Sequence, residues 1–235
     1  ARLLAVRRFQ PWEGGEGLAL GQHVRTQLAL GRKALLCGNA EEARGHFEAA
    51  MHPPNNLGEA RHLLANCSDI RYWLGVALKA LGHGAQARKQ WRAAADFVGD
   101  FRDMSVRAFS EQTYFSALAC GRLGQAHRMR QLLRGLLAHA RQLADADAKV
   151  DYFATSLPTM LLFEDDLRSR QRTEALFLQA QAQLGLGRRA EAWRLMRQVL
   201  ARDPNHGAAS DFLTGAGDLR RATAHGGTVR KRRRK

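Results

Sequence analysis

Two glycine patterns have the residue types and the spacing of a dinucleotide-binding loop. They are Gly82-x-Gly84-x-x-Ala87 and Gly185-x-Gly187-x-x-Ala190. In such loops glycine lets the backbone approach a pyrophosphate, and a β-strand precedes the first glycine. Here the preceding segments, VALKAL and QAQAQL, have a helical pattern instead. We therefore predict turns between helices at both places and expect no nucleotide cofactor.

The sequence also contains no residue pattern that predicts acid–base catalysis or a metal site. Glu164, Asp165 and Asp166 are consecutive, so on a helix they point in different directions and cannot form a facing acid–base pair. The nine histidines are scattered, and no H-E-x-x-H, G-x-S-x-G or phosphate-binding P-loop is present. We expect no catalytic residue, no cofactor and no metal, and hence a protein that is not an enzyme.

The three cysteines, Cys37, Cys67 and Cys120, include no C-x-x-C pair. Cys37 and Cys120 fall at helical core positions, which favours small buried side chains in a reducing cytoplasm. The alternative is a catalytic or metal-binding thiol.

Composition favours a helical fold. Apolar residues make up 45% of the 235 residues, Ala, Leu, Arg and Gln are frequent, and β-branched residues are few. No apolar run reaches the roughly 18 residues of a membrane span, and the first residues lack the apolar core of a secretory signal. We expect a cytoplasmic protein with no membrane span. Because the chain does not begin with methionine, it is predicted to be a fragment or a processed form.

The segment 71–95, RYWLGVALKALGHGAQARKQWRAAA, is predicted to form two helices joined by a glycine turn. Small and large apolar residues recur on one face of each helix. These are Leu74, Gly75 and Leu78, followed after Gly82 by Ala87, Trp91 and Ala94. The small residues allow two helix backbones to approach closely, and Trp91 fills the space beside them.

The same register recurs in three other parts of the chain. The recurring positions are Leu30, Gly31, Ala34, Gly38, Ala43, Phe47 and Ala50 in the first copy, Ala117, Cys120, Gly124, Met129, Leu133 and Leu136 in a weaker copy, and Ala180, Gly187, Ala192, Met196 and Val199 in the last. The pattern resembles the tetratricopeptide repeat. This resemblance implies an all-α fold, a right-handed α-solenoid of antiparallel helix pairs. The anchor positions Gly31, Gly75, Ala117 and Ala180 lie more than 34 residues apart, which predicts inserted helices.

We divide the chain into an incoming linker at 1–16, a tetratricopeptide-like helical repeat domain at 17–213 and a disordered basic tail at 214–235. Within the repeat domain, a short helix is expected in 58–66 and an inserted helix in 151–167. A final short helix, beginning at Gly207, is expected to cap part of the stack.

Helix starts are expected at Asn39, Ser68 and Ser110, which have capping side chains.

Four longer segments add a closer resemblance. They are Phe9–Val24, Asn56–Gly75, Gly99–Leu118 and Asp151–Leu167. Together they resemble the C-terminal repeat region of large, poorly characterised bacterial proteins that carry an N-terminal galactose-mutarotase-like β-sandwich region. The resemblance implies that partner domains precede this chain in the full-length protein. It supplies no activity.

In tetratricopeptide arrays the first helix of each unit lines a concave groove. Carried over by register, the candidate partner-binding residues are Asp69, Tyr72, Lys79, Glu111, Tyr114, Glu174, Phe177 and Gln181. One hypothesis is an exposed ladder of aromatic and acidic side chains that binds a peptide or a sugar. The alternative is that the inserted helix covers these aromatic rings and makes them part of the core. Solvent exposure of Tyr72, Tyr114 and Phe177 distinguishes the two.

The tail is the main concentration of charge. The formal net charge is +15, and the residues from Gly215 onward include eight Lys or Arg against one acid. The candidate polyanion-binding residues are Arg230, Lys231, Arg232, Arg233, Arg234 and Lys235. They could attract nucleic acid, although no aromatic residue is interleaved for base stacking. The alternative is a solvated, disordered tail with no such partner.

The preferred prediction is a non-catalytic scaffold or protein–protein interaction module of a larger bacterial protein. Its expected partner is a protein or peptide, first of all the preceding domains of the same polypeptide. One alternative is a repeat region that supports a carbohydrate-binding or carbohydrate-active site, with a glycan as ligand. The other is association with nucleic acid through the basic tail.

Overall fold

The computed structural model describes residues 2–10, 17–97, 99–102, 105–147 and 166–215. These residues form helices and one short β-hairpin. The helices are α1 (Arg2–Val6), α2 (Leu18–Leu36), α3 (Ala40–Met51), α4 (Ser68–Ala80), α5 (Gly84–Ala95), α6 (Glu111–Arg122), α7 (Ala126–Asp145), α8 (Leu167–Gly185), α9 (Arg189–Arg202) and α10 (207–215). A 3-10 turn lies at Asn55–Leu57, and the hairpin strands are β1 (Asp100–Arg102) and β2 (Ser105–Arg107).

From α2 to α9, each helix packs against the next one in the chain. In addition, α2 contacts α4, α4 contacts α6, and α6 contacts α8. The helices therefore form two layers, with α2, α4, α6 and α8 in the first layer and α3, α5, α7 and α9 in the second. The prediction of an all-helical fold built from helices in series is confirmed.

Glycine lets a large ring enter each of the first two helix pairs. The ring of Phe47 on α3 lies against Gly31 on α2, where a Cβ atom would come within 2.4 Å of the ring. In the next pair, Trp91 on α5 lies against Gly75 on α4 at the same distance, and its Nε1 donates to the carbonyl of Tyr72 at 3.2 Å. The predicted role of these glycines as packing positions is confirmed.

The last pair uses alanine in the corresponding position. Ala180 on α8 is fully buried in one cluster with Met196 and Val199 on α9. Alanine leaves less room than glycine, and methionine, which is flexible, takes the place of the aromatic ring.

The predicted helix caps have different outcomes. Ser110 caps α6 as predicted: its hydroxyl accepts from the backbone N–H of Gln112, and Thr113 completes a capping box. Asn39 stands at the N-cap of α3 without a side-chain hydrogen bond to the backbone there. Ser68 is the first residue of α4 rather than its cap, and its buried hydroxyl donates to Asn66.

The helix expected in 58–66 is absent, so that prediction was wrong. Gly58 has a φ of 74°, which ends the preceding 3-10 turn. The Glu59 carboxylate then accepts from the backbone N–H groups of Gly17 and Leu20, at the start of α2. These long-range hydrogen bonds tie the segment to the start of α2.

After α5 the chain forms the β1–β2 hairpin, with Phe101 paired with Val106. Cys67 and Cys120 are buried, whereas Cys37 is exposed at the end of α2, contrary to its predicted core position. The expected helix in 151–167 lies outside the described residues except for its last two positions. Part of the linker at 1–16 and nearly all of the tail also lie outside them.

Within the described residues, no helix is both long and apolar enough to cross a membrane. The same residues contain no group of three or more His, Cys, Asp or Glu side chains that could hold a metal ion.

Candidate functional site

The last helix, α10, reaches back to the first helix pair. The guanidinium of Arg25 on α2 donates from Nε to Oδ2 of Asp211 at 2.8 Å and from Nη2 to Oδ1 at 2.9 Å. The same Nη2 donates to the carbonyl of Gly207 at 3.2 Å. A Cβ atom at Gly207 would come within 2.4 Å of this guanidinium. The N-terminal turn of α10 therefore lies directly on α2.

The aromatic ring of α10 lies between α6 and α8. The ring of Phe212 has centroid distances of 5.6 Å to Tyr114, 6.4 Å to Phe115 and 5.9 Å to Phe177. The pairs with Tyr114 and Phe177 have the edge-to-face geometry that aromatic rings prefer. One turn earlier, Ala209 is fully buried against α8 and α9. The expected partial cap thus covers the last helix pair and also crosses to α2 and α6.

We use the term inner face for the side chains on which α10 lies and for their immediate neighbours. The inner face comprises Arg25, Arg32, Tyr72, Trp73, Tyr114, Phe115 and Phe177. Its rings form a continuous row: the ring centroids of Phe115 and Tyr72 are 6.2 Å apart, and those of Tyr72 and Trp73 are 5.3 Å apart.

The three predicted groove rings are not exposed. Tyr72 and Tyr114 each keep 7% of their surface exposed and Phe177 keeps 3%. The expectation of an open aromatic ladder is therefore corrected, because the chain itself buries these rings. Phe212 of α10 covers part of two of these rings, because it packs against Tyr114 and Phe177. Tyr72 is packed among Trp73, Phe115 and the guanidinium of Arg122.

The predicted acids at the start of α4 and α6 lie close together. Burial raises the pKa of Asp69 to about 6, and the nearby carboxylate of Glu111 acts in the same direction. Hydrogen bonds from the backbone N–H of Ile70 and from Gln112, and the charge of Arg61, oppose this shift. Asp69 is therefore expected to lose its proton near pH 6, well above the pKa of an exposed aspartate.

The other predicted polar residues have separate environments. Glu174 forms an ion pair of 2.9 Å with Arg107 on the hairpin. Gln181 is 1% exposed, and its Nε2 donates to the carbonyl of Glu111 at 3.3 Å. Its Oε1 is buried without a hydrogen-bond partner among the described residues. Lys79 is exposed in the last turn of α4, beside the turn at Gly84. The structure thus brings Asp69, Glu111 and Gln181 together and leaves Glu174 and Lys79 apart from them.

Arg32 is the second arginine of the inner face. Its guanidinium lies over the ring of Trp73, 6.0 Å from the centroid. Burial lowers the pKa of Arg32, and the charges of Asp211 and Asp69 partly offset this effect. The α2 end of the inner face therefore carries two arginines, of which Arg25 is paired with Asp211 and Arg32 lies over the ring of Trp73.

The residues missing from the predicted site are Phe115, Asp211 and Phe212. The sequence contained one signal for the last two: Ala208, Ala209, Phe212 and Leu213 lie on one side of a short helix. This pattern predicts a buried stripe but cannot identify its partner, since Arg25 is 186 residues away.

Comparison with known proteins gives no further identification. No protein-family model matches the chain, and no solved structure matches it.

Proposed function

We propose that this chain is a non-catalytic interaction module built from tetratricopeptide-like repeats, and that its inner face binds a short helix of a partner protein. The observation that carries the proposal is the placement of α10. The helix described at 207–215 already lies on this face through one aromatic side chain and one carboxylate. This is a common way for proteins to recognise an amphipathic helix.

The packing of the helices supports a curved solenoid. Helices of the first layer contact one another from pair to pair as well as contacting their own partners. Stacked helix pairs with one closer layer curve toward that layer and create a concave surface. The close fit of Phe47 on Gly31 and of Trp91 on Gly75 agrees with the tetratricopeptide register.

The expected partner is a protein segment, and the resemblance to bacterial repeat regions points to a preceding domain of the same polypeptide. A glycan site has less support, because stacking on a sugar requires an open ring face and the three predicted rings are buried. The nucleic-acid alternative depends on residues 230–235, which lie outside the described residues, so it stays a prediction.

A photo-cross-linking experiment in cells tests the proposal. A benzophenone amino acid is placed at Trp73, a partly exposed ring of the inner face, and, as a control, at Arg92, which is exposed on α5 in the second layer. We expect a defined protein adduct from position 73 and none from position 92. The cross-linked segment is then made as a peptide, and its affinity for the purified chain is measured.

Identical adducts from both positions, or adducts within the chain alone, would count against the proposal. A cross-linked segment that does not bind the purified chain would do the same.

A further inference from the structure

The α10 helix has the properties of a bound ligand. Its described residues are 207–215, and most of the stability of a helix in a protein comes from tertiary packing rather than from helix propensity. Its position depends on three features: the ion pair of Asp211 with Arg25, the ring of Phe212 and the buried Ala209. The contacts reach α2, α6 and α8, so α10 joins three helices of the first layer.

Water still reaches this interface. The side chains of Arg25 and Asp211 are 41% and 24% exposed, and Phe212 is half-buried. In contrast, Phe47 is fully buried and Trp91 is 5% exposed in their helix pairs. Exposed backbone and partly buried contacts mark the parts of a protein that open most easily. We therefore expect α10 to detach while the helix pairs stay folded.

We propose that α10 is an internal competitor for the inner face, displaced by a partner helix that carries the same acid–aromatic pair. The partner helix has an acid directly followed by an aromatic residue, as in Asp211–Phe212. This inference deepens the proposed function and depends on it.

Competition has a measurable consequence. A segment tethered to its site acts at an effective concentration of the order of millimolar, so it outcompetes a free peptide of equal intrinsic affinity. The apparent affinity of a free peptide falls in proportion to the fraction of chains with an open site. Weakening α10 in the chain therefore strengthens binding of the same helix supplied as a separate peptide.

The test uses the full chain and a fluorescein-labelled peptide with the sequence of residues 203–215. Binding is followed by fluorescence anisotropy for the unsubstituted chain and for Asp211→Lys and Phe212→Ala. We expect at least tenfold tighter binding to both variants and no change for Thr214→Ala, an exposed control position on the same helix. Circular dichroism confirms that the helix pairs stay folded in each variant.

Two further arms test the chemistry of recognition. A peptide with Phe212→Ala should not bind, and Arg25→Glu combined with Phe212→Ala in the chain should abolish binding of the unsubstituted peptide.

If the labelled peptide binds the unsubstituted chain and the Asp211→Lys chain with equal affinity, α10 does not compete for the inner face. Absence of binding to every folded variant shows that α10 is only a structural cap. These outcomes are distinct from failure of the proposed function. If the peptide competes with α10 but no cellular partner is cross-linked, the proposed function is contradicted. If a partner is cross-linked but binds the Asp211→Lys chain no more tightly than the unsubstituted chain, only the competition is contradicted.

Discussion

Arg25 and Asp211 are 186 residues apart in the sequence, and their side chains form a two-pronged ion pair with N–O distances of 2.8 and 2.9 Å. The pair connects α2, in the first helix pair, to α10, which follows the last one. A planar guanidinium matches the two oxygens of a carboxylate, so the contact fixes orientation as well as position. It therefore sets where α10 crosses the inner face.

Loss of this ion pair should cost little stability. Because both side chains keep contact with water, we expect Arg25→Ala and Asp211→Ala each to lower the free energy of unfolding by about 0.5–1 kcal/mol. Urea denaturation of the two variants and of the double variant gives the coupling energy. The charge-exchanged chain, Arg25→Asp with Asp211→Arg, should recover part of the loss at low salt. A coupling energy of zero under those conditions would show that the pair does not hold α10.

Gly75→Ala should strongly destabilise the fold. The added Cβ would lie 2.4 Å from Nε1 of Trp91, so the indole must move and lose its hydrogen bond to Tyr72. We expect a loss of about 2–3 kcal/mol in the free energy of unfolding. Gly45→Ala is the control, because Gly45 is exposed within α3 and its Cβ would meet no atom within 4 Å. That substitution should stabilise the protein by about 0.5–1 kcal/mol. Similar effects of both substitutions would contradict the packing role of Gly75.

Asp69 should make stability depend on pH in an unusual direction. Its pKa is raised from 3.8 to about 6 in the folded protein, so between these values the folded state holds a proton that the unfolded state has released. This contribution is present below pH 4 and is lost as the pH rises to about 6, with an upper limit of about 3 kcal/mol.

Asp69→Asn keeps an oxygen that can accept from the N–H of Ile70 but removes the charge. We expect the variant to gain stability relative to the unsubstituted chain as the pH rises from 4 to 7, measured by urea denaturation at several pH values. A constant difference across this range would show that Asp69 titrates normally.

Phe212→Ala should release α10 without unfolding the helix pairs. The ring is half-buried among three aromatic side chains, so we expect a loss of about 2 kcal/mol, less than for a fully buried phenylalanine. Hydrogen exchange should become faster at 207–215 and stay unchanged in α4 and α5. Thr214→Ala, on the exposed side of the same helix, should leave both properties unchanged. Faster exchange throughout α4 and α5 would mean that α10 is needed for the whole fold.

Ser110 and Asn39, which stand at helix starts, should contribute differently to the free energy of unfolding. Ser110 takes part in a complete capping box, so Ser110→Ala should cost about 1–2 kcal/mol. Asn39 makes no side-chain cap hydrogen bond, so Asn39→Ala should cost only a few tenths of a kcal/mol. Thermal unfolding of the two variants compares them directly, and equal losses would contradict the capping geometry.

The sequence by itself determined the helix pairs. The two halves of each pair are close in the chain, and the spacing of Gly75 and Trp91 follows from helix periodicity and one short turn. The capping sequence at Ser110 is local in the same sense, and it was predicted correctly. Predictions from local sequence were wrong where a contact with a distant part of the chain determines the structure. The segment 58–66 has no helix, because Glu59 binds the start of α2.

Only the tertiary structure decided the state of the candidate site. Helix register identified Tyr72, Tyr114 and Phe177 as neighbours in a row, but it could not show that the chain covers them. Whether a ring is exposed depends on every segment that packs nearby, and the α10 contacts join residues from opposite ends of the sequence. Periodicity describes one helix at a time, so the placement of Phe212 and the pairing of Asp211 with Arg25 follow only from the folded chain.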